Sequence, residues 1–222
     1  WTYLELQNKV NAFAAGLVSL GLQPGDRVGI WSPNNSEWVV TQYATAKAGI
    51  ILVNINPAYR IAELEYAINK VGCKALILAE SFKSSNYIAM VEELVPEISK
   101  SKSGEINSAR LPTLKAVIQI GGETNDGYFD FEQIPTLAST KDHQQIESLS
   151  DQLQFDDPIN IQFTSGTTGF PKGATLTHFN VLNNGYFTGE GLKLSSNDKL
   201  CVPVPLYHCF GMVLSNVAAL TH

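Results

Sequence analysis

Apolar positions along the first half of the chain alternate between two periods. Leu6, Val10, Phe13, Leu17 and Leu20 are spaced four, three, four and three apart, which sets them on one face of a helix. Thr2 and Glu5 have the spacing of a capping box that starts such a helix, and Gly21 is its stop. Pro24-Gly25-Asp26 then supplies a turn. Residues 27–31 form a short apolar run halted by Ser32-Pro33-Asn34, as a buried strand would be. Ser36 is placed to cap a second helix that runs to Lys47 and stops at Gly49. Residues 50–55 read as a β-branched strand, 61–71 as a helix stopped by Gly72, and 75–79 as a third strand. A helix near 86–95 and a strand at 115–120 continue the series.

Short strands alternating with helices predict an α/β fold, a parallel sheet flanked by helices, because parallel neighbours need a crossover of about a dozen residues. Two stretches lack periodicity. Residues 96–112, rich in Ser, Lys and Asn, read as an exposed loop. Residues 121–157, polar and broken by Gly122, Gly127 and Pro135, read as a surface wrapping that ends a first subdomain, 1–157. Residues 158–222 then read as the nucleotide-loop segment of the next part.

Charge sharpens that division. The 222 residues carry 15 Lys+Arg and 21 Asp+Glu, a net charge of −6, and only 16% are charged against roughly 25% in an average globular domain. From 158 to 189 the only formal charge is Lys172, and from 200 to 222 there is none. These stretches read as faces awaiting a partner. Without a Lys/Arg cluster to neutralise several phosphates, nucleic acid is not an expected partner. No apolar stretch approaches the roughly 20 residues of a transmembrane helix, so no transmembrane segment is expected. Cys73, Cys201 and Cys209 are too few for a disulfide framework; Cys201, His208 and Cys209 lack a second cluster to complete a zinc site, and no metal site is assigned within the chain. The first residue is Trp1, and His222 falls in an apolar helix-like stretch without a cap, so both ends read as cut.

The chemistry-bearing candidate follows an alternating strand in which Ile159, Ile161 and Phe163 are expected to face one way. It reads Thr164-Ser165-Gly166-Thr167-Thr168-Gly169-Phe170-Pro171-Lys172-Gly173. Glycines let successive backbone N–H groups converge, four hydroxyls add donors, and Lys172 adds a full charge, a composition suited to anionic oxygens. Pro171 holds Phe170 extended and limits where Lys172 points. A P-loop of nucleoside triphosphatases is excluded, since from Gly166 its second glycine would fall on Pro171. A flexible linker of the same composition would not sit directly after a buried strand and lead into a helix capped by Thr177.

The segment from Thr164 to Gly173 resembles the nucleotide-binding signature of the adenylate-forming (acyl-CoA synthetase, AMP-binding) superfamily. The resemblance extends through Pro24-Gly25-Asp26-Arg27-Val28, Asn56-Pro57-Ala58-Tyr59, Thr177-His178 with Asn180, and Pro205-Leu206-Tyr207-His208-Cys209-Phe210-Gly211. The combination is most similar to medium-chain fatty acyl-CoA synthetases of the mitochondrial family-member-2 type and their bacterial relatives. It implies a two-step ligase reaction in which a medium-chain fatty acid and ATP give acyl-adenylate and pyrophosphate, and CoA then displaces AMP. ATP, Mg²⁺ and CoA are the implied cofactors and co-substrates. Thr164, Ser165, Gly166, Thr167, Thr168, Gly169, Phe170, Pro171 and Lys172 are the implied phosphate-binding residues, with Lys172 stabilising the pyrophosphate.

His208 takes the place where the family lines the passage of acyl-adenylate and pantetheine, against the alternative of an ordinary structural histidine. His178, beside Thr177 and Asn180, reads as a helix-start residue. The family's Mg²⁺-binding acidic motif, ribose-binding Asp, hinge and C-terminal domain with its Lys do not occur. The chain therefore reads as an incomplete large N-terminal domain, inactive alone. A non-catalytic phosphate-binding or interaction module, and an aryl-CoA ligase or amino-acid adenylation domain, are the alternatives. The resemblance implies the mitochondrial matrix, or the cytoplasm for a bacterial protein.

Overall fold

A computed structural model describes residues 1–164 and 171–222. Helix α1, Tyr3–Ser19, carries the expected Thr2–Glu5 capping box and buries Val10, Phe13 and Leu17. Strand β1 is Arg27–Trp31 and helix α2 is Ser36–Lys47. The α2 cap is Asn35 rather than Ser36: Asn35 stands in extended backbone and its Oδ1 accepts from Trp38 N at 2.8 Å. Strand β2 is Ile51–Asn54, α3 is Ile61–Val71 and β3 is Ala75–Ala79. Gly72 ends α3 at φ 65°, a left-handed conformation that glycine adopts without a Cβ penalty. A small hairpin of β4, Ser81–Phe82, and β5, Ser85–Asn86, precedes α4, Tyr87–Leu94.

Strand β6 is Ala116–Ile120, and beyond it come β7, Phe129–Asp130, and helix α5, Thr140–Leu149. Strands β8, Pro158–Thr164, and β9, Lys172–Thr177, follow, then α6, His178–Leu192. The chain closes with a helical run: α7, Cys209–Gly211, a π-helical stretch, Met212–Val217, and α8, Ala218–Leu220.

Among the described residues seven strands form one sheet in the order β7-β6-β3-β1-β2-β8-β9, all parallel except for the antiparallel β8–β9 pair. Both faces are covered, so successive strand residues feed two separate cores. Ala75 and Ile77 of β3 pack with α1 and α2, whereas Leu76 and Leu78 pack with α3 and α4. This explains the unbroken apolar runs, which a sheet with one wet face would not tolerate.

Two expectations are corrected. The stretch 96–112 is not simply an exposed loop: it contains a 3₁₀ turn, Ile98–Lys100, and buries Ile98, Ile106 and Leu111 beside Tyr87 and Leu94. The stretch 121–157 is largely ordered too. It supplies β7, a 3₁₀ segment, Phe131–Leu137, and α5, and it places Phe131 against Phe13 with ring centroids 4.2 Å apart. Few apolar side chains suffice there because Phe131, Ile134, Ile146 and Leu149 all join the core that α1 lines. Strand β8 joins β2 in register, Leu52 opposite Asn160, so the sheet continues past residue 157.

Candidate functional site

Parallel strands align their carboxyl ends, and in open α/β sheets ligands bind in the crevice beyond those ends. Strands β1, β2, β3 and β8 deliver Pro33 and Asn34, Asn56 to Ala58, Phe82 and Lys83, and Thr164 to that edge. A crevice of about 510 Å³ opens there, walled by Asn34, Asn56, Pro57, Lys83, Pro205 and Tyr207 among others.

Thr164 is the last residue of β8 and pairs with Lys172, the first of β9, so the phosphate-loop candidate is the connection of an antiparallel hairpin. The pairing is supported by Thr164 Oγ1, 3.4 Å from the Lys172 carbonyl to which it donates. Tyr66 of α3 donates its hydroxyl to the Pro171 carbonyl at 3.2 Å. Thr164 and Lys172 are exposed, and Pro171 is half-buried. Ser165, Gly166, Thr167, Thr168, Gly169 and Phe170 lie outside the described residues.

The alternation expected of the strand is interrupted. Pro158 pairs with Thr177 and Asn160 with Leu176, leaving Ile159 as the extra residue of a bulge. Ile161 and Phe163 accordingly pack toward α3, while Ile159 joins the core under α2 and α6.

The segment carrying His208 is tied to the sheet by asparagines. Asn34 donates to the Val204 carbonyl at 2.8 Å and accepts from Leu206 N at 2.8 Å. Asn54, 1% exposed, donates from Nδ2 to the Tyr207 carbonyl at 3.0 Å and accepts from Asn160 Nδ2 at 3.0 Å. Gln42 donates to the Met212 carbonyl at 3.2 Å. These groups lie in strand ends and in α2, so sequence reasoning treated Asn34 as a strand stop and gave Asn54 and Gln42 no role. The only available signal was an uncharged amide inside an otherwise apolar run.

His208 itself is exposed and stands at the cap of α7, where Nδ1 accepts from Phe210 N at 3.2 Å. That bond assigns the neutral ring proton to Nε2, which leaves Nε2 as a donor at the surface. His178 begins α6 as expected, with Thr177 and Asn160's neighbour strand below it: Thr177 Oγ1 accepts from Asn180 N at 3.2 Å, and Asn180 Oδ1 accepts from Thr177 N at 3.0 Å. Cys73 is buried, and burial pushes its thiol pKa up to about 12; Cys209 is half-buried against the core, and Cys201 is exposed. Among the described residues no group of three or more His, Cys, Asp or Glu could hold a metal ion, and no helix is long and apolar enough to cross a membrane.

A family model described as AMP-binding enzyme matches residues 1–222. The chain is 50% identical over 214 residues to the medium-chain acyl-CoA ligase ACSF2, mitochondrial, of Danio rerio, covering 96% of this chain and 35% of that protein. It is 44% identical to the Homo sapiens protein of the same name, covering 100% of this chain and 37% of the relative. It is 41% identical to the putative acyl-CoA synthetase YngI of Bacillus subtilis (strain 168), covering 100% and 40%. The chain thus spans little more than a third of the length of these relatives. Among solved structures, the acetoacetyl-CoA synthetase from Streptomyces lividans matches with a TM-score of 0.78 at 27% identity, covering 99% of this chain and 32% of that one. An anthranilate CoA ligase, AuaEII, solved with anthranoyl-AMP, shares the fold with a TM-score of 0.79 at 22% identity over 97% of this chain and 37% of the other.

Proposed function

The chain belongs to the AMP-binding enzyme family, and on that premise we propose that it carries the phosphate-binding part of an ATP-dependent acid–thiol ligase acting on a medium-chain fatty acid. The observation that carries the reading is the β8–β9 hairpin, whose connection leaves the sheet at its carboxyl edge between Thr164 and Lys172. Attack of a carboxylate oxygen on the α-phosphorus of ATP forms the acyl-adenylate and drives negative charge onto the departing pyrophosphate. Donors fixed in advance around that charge lower the barrier because they need no reorganisation at the moment of reaction.

In this reading the hydroxyls and N–H groups of Thr164 to Phe170, with Pro171 directing the chain and Lys172 supplying the charge, hold the phosphates. CoA thiol then attacks the acyl carbonyl and AMP departs, past His208, whose Nε2 is left free by the Nδ1 cap to line the passage. Mg²⁺ would accompany ATP, and the described residues contain no cluster of three or more His, Cys, Asp or Glu that fits it. Residues 1–157 and 158–222 are read as successive parts of one adenylation domain. The names of the vertebrate relatives support a mitochondrial setting; for a bacterial protein the setting proposed is the cytoplasm.

Isotope exchange between pyrophosphate and ATP, driven by octanoate in the intact protein, tests the assignment. Octanoate-dependent exchange is the expected result. Its absence under conditions where ATP binds would leave a binding module in place of a ligase.

A further inference from the structure

On the face of the sheet away from α3, a second cavity of about 190 Å³ lies between α2, α6 and the π-helical stretch. Its wall is almost wholly apolar, with Leu52, Ile159, Val181 and Met212 contributing. Among the described residues no Lys, Arg, Asp or Glu lines it. Two of its wall residues carry orphaned polar atoms: Asn160 Oδ1 and His178 Nε2 are buried with no hydrogen-bond partner among the described residues.

The orientation of Asn160 follows from a chain of hydrogen bonds. The Tyr207 carbonyl is an acceptor, so the Asn54 atom beside it is Nδ2 and the other atom of that amide is the acceptor Oδ1. Asn160 faces that Oδ1 and the Leu52 carbonyl with one atom, at 3.0 Å from each, so that atom must be the donor Nδ2. Flipping the amide would set an oxygen against two acceptors. Asn160 is 1% exposed, and its remaining oxygen is therefore an unmet acceptor in a nearly dry place, a costly arrangement unless something donates to it.

We propose that this cavity is a binding site for one small uncharged molecule, an aromatic ring or short alkyl chain bearing a single hydroxyl that donates to Asn160. The size suits one ring, since an apolar cavity of about 150 Å³ takes up benzene. A carboxylate does not fit, because it brings only acceptors to an orphan acceptor and finds no cation in the wall. Burial lowers the pKa of His178, which favours the neutral ring, and the tautomer protonated at Nε2 donates to the oxygen of that hydroxyl. The site is thus separate from the crevice at the carboxyl edge and independent of the ligase reading.

The test is titration of the full chain with phenol, benzene and octanoate, followed by amide and Asn side-chain NMR shifts. Phenol is expected to bind saturably, to move the Asn160 side-chain resonances, and to bind about tenfold tighter than benzene, the difference of one hydrogen bond to a buried acceptor. L182W, placed at the exposed rim of the cavity, is expected to weaken phenol at least tenfold while leaving the fold intact by circular dichroism. Saturable phenol binding unaffected by L182W would place the site elsewhere and overturn the proposal. So would equal affinity for phenol and benzene, tighter binding of octanoate, or no saturable binding.

Discussion

Asn54 and Asn160 bond side chain to side chain at 3.0 Å across the parallel strands β2 and β8, both at 1% exposure. Through this pair the strand that leads to the phosphate-loop candidate is connected to the Tyr207 carbonyl, one residue before His208. Asn54→Ala removes the donor from Tyr207 and one of the two acceptors from Asn160. The expected cost is about 1–3 kcal/mol of unfolding free energy, measured by denaturant titration, with faster amide exchange concentrated in residues 204–212. Exchange that accelerates uniformly would deny Asn54 its role in docking that segment.

Lys172 is the only formal charge between 158 and 189, so no neighbour in that stretch can replace it. Lys172→Ala in the intact protein is expected to slow octanoate-dependent pyrophosphate exchange by 10²-fold or more, about 3 kcal/mol by analogy with removal of a single transition-state donor. Octanoate binding should persist. An unchanged exchange rate would remove Lys172 from the site.

For His208 the cap and the passage can be separated. Asn is a good helix cap, so His208→Asn should preserve the bond to Phe210 N, whereas His208→Ala should lose about 0.5–2 kcal/mol. If Nε2 lines the passage, both variants slow transfer to CoA while adenylate formation, read by exchange, stays near wild type. A His208→Asn protein with normal CoA transfer would make the residue a cap alone.

Gly16 of α1 lies directly against the backbone carbonyl of Ile134, in the segment expected from sequence to be surface wrapping. A Cβ at this position would collide with main chain that cannot rotate away. Gly16→Ala is expected to destabilise by about 1–3 kcal/mol despite the better helix propensity of alanine. A rise in melting temperature would show that 131–137 does not pack there.

Burial lowers the pKa of His178, opposed by the charge of Asp157. The unfolded chain then binds the proton more readily than the folded one. The stability tied to a neutral His178 is complete above the ordinary value of 6.5 and is lost as pH falls below it through the lowered folded value. A comparison of His178→Gln with wild type between about pH 8 and pH 5 should show a wild-type decline on acidification that the variant lacks. Parallel curves would contradict the burial effect.

The sequence by itself determined local geometry wherever one strong rule acted on a short span. Thr2 with Glu5 started α1, Gly72 ended α3 in the left-handed region, and Ala75 to Ala79 could only be a strand buried on both faces. The candidate phosphate loop could be singled out for the same reason, its glycines, hydroxyls and lone lysine being contiguous, although of it only Thr164, Pro171 and Lys172 lie among the described residues. Tertiary structure alone decided the rest. Ile159 left the alternation because a bulge against β9 turned it to the other core. Residues 121–157 became ordered because Phe131 and Ile134 found α1, although they are too sparse to show a period. Asn54 and Asn160 became a junction because parallel pairing set residues more than a hundred positions apart side by side. Periodicity records which face of an element is buried; which partner fills that face is a long-range choice of packing, and no local pattern encodes it.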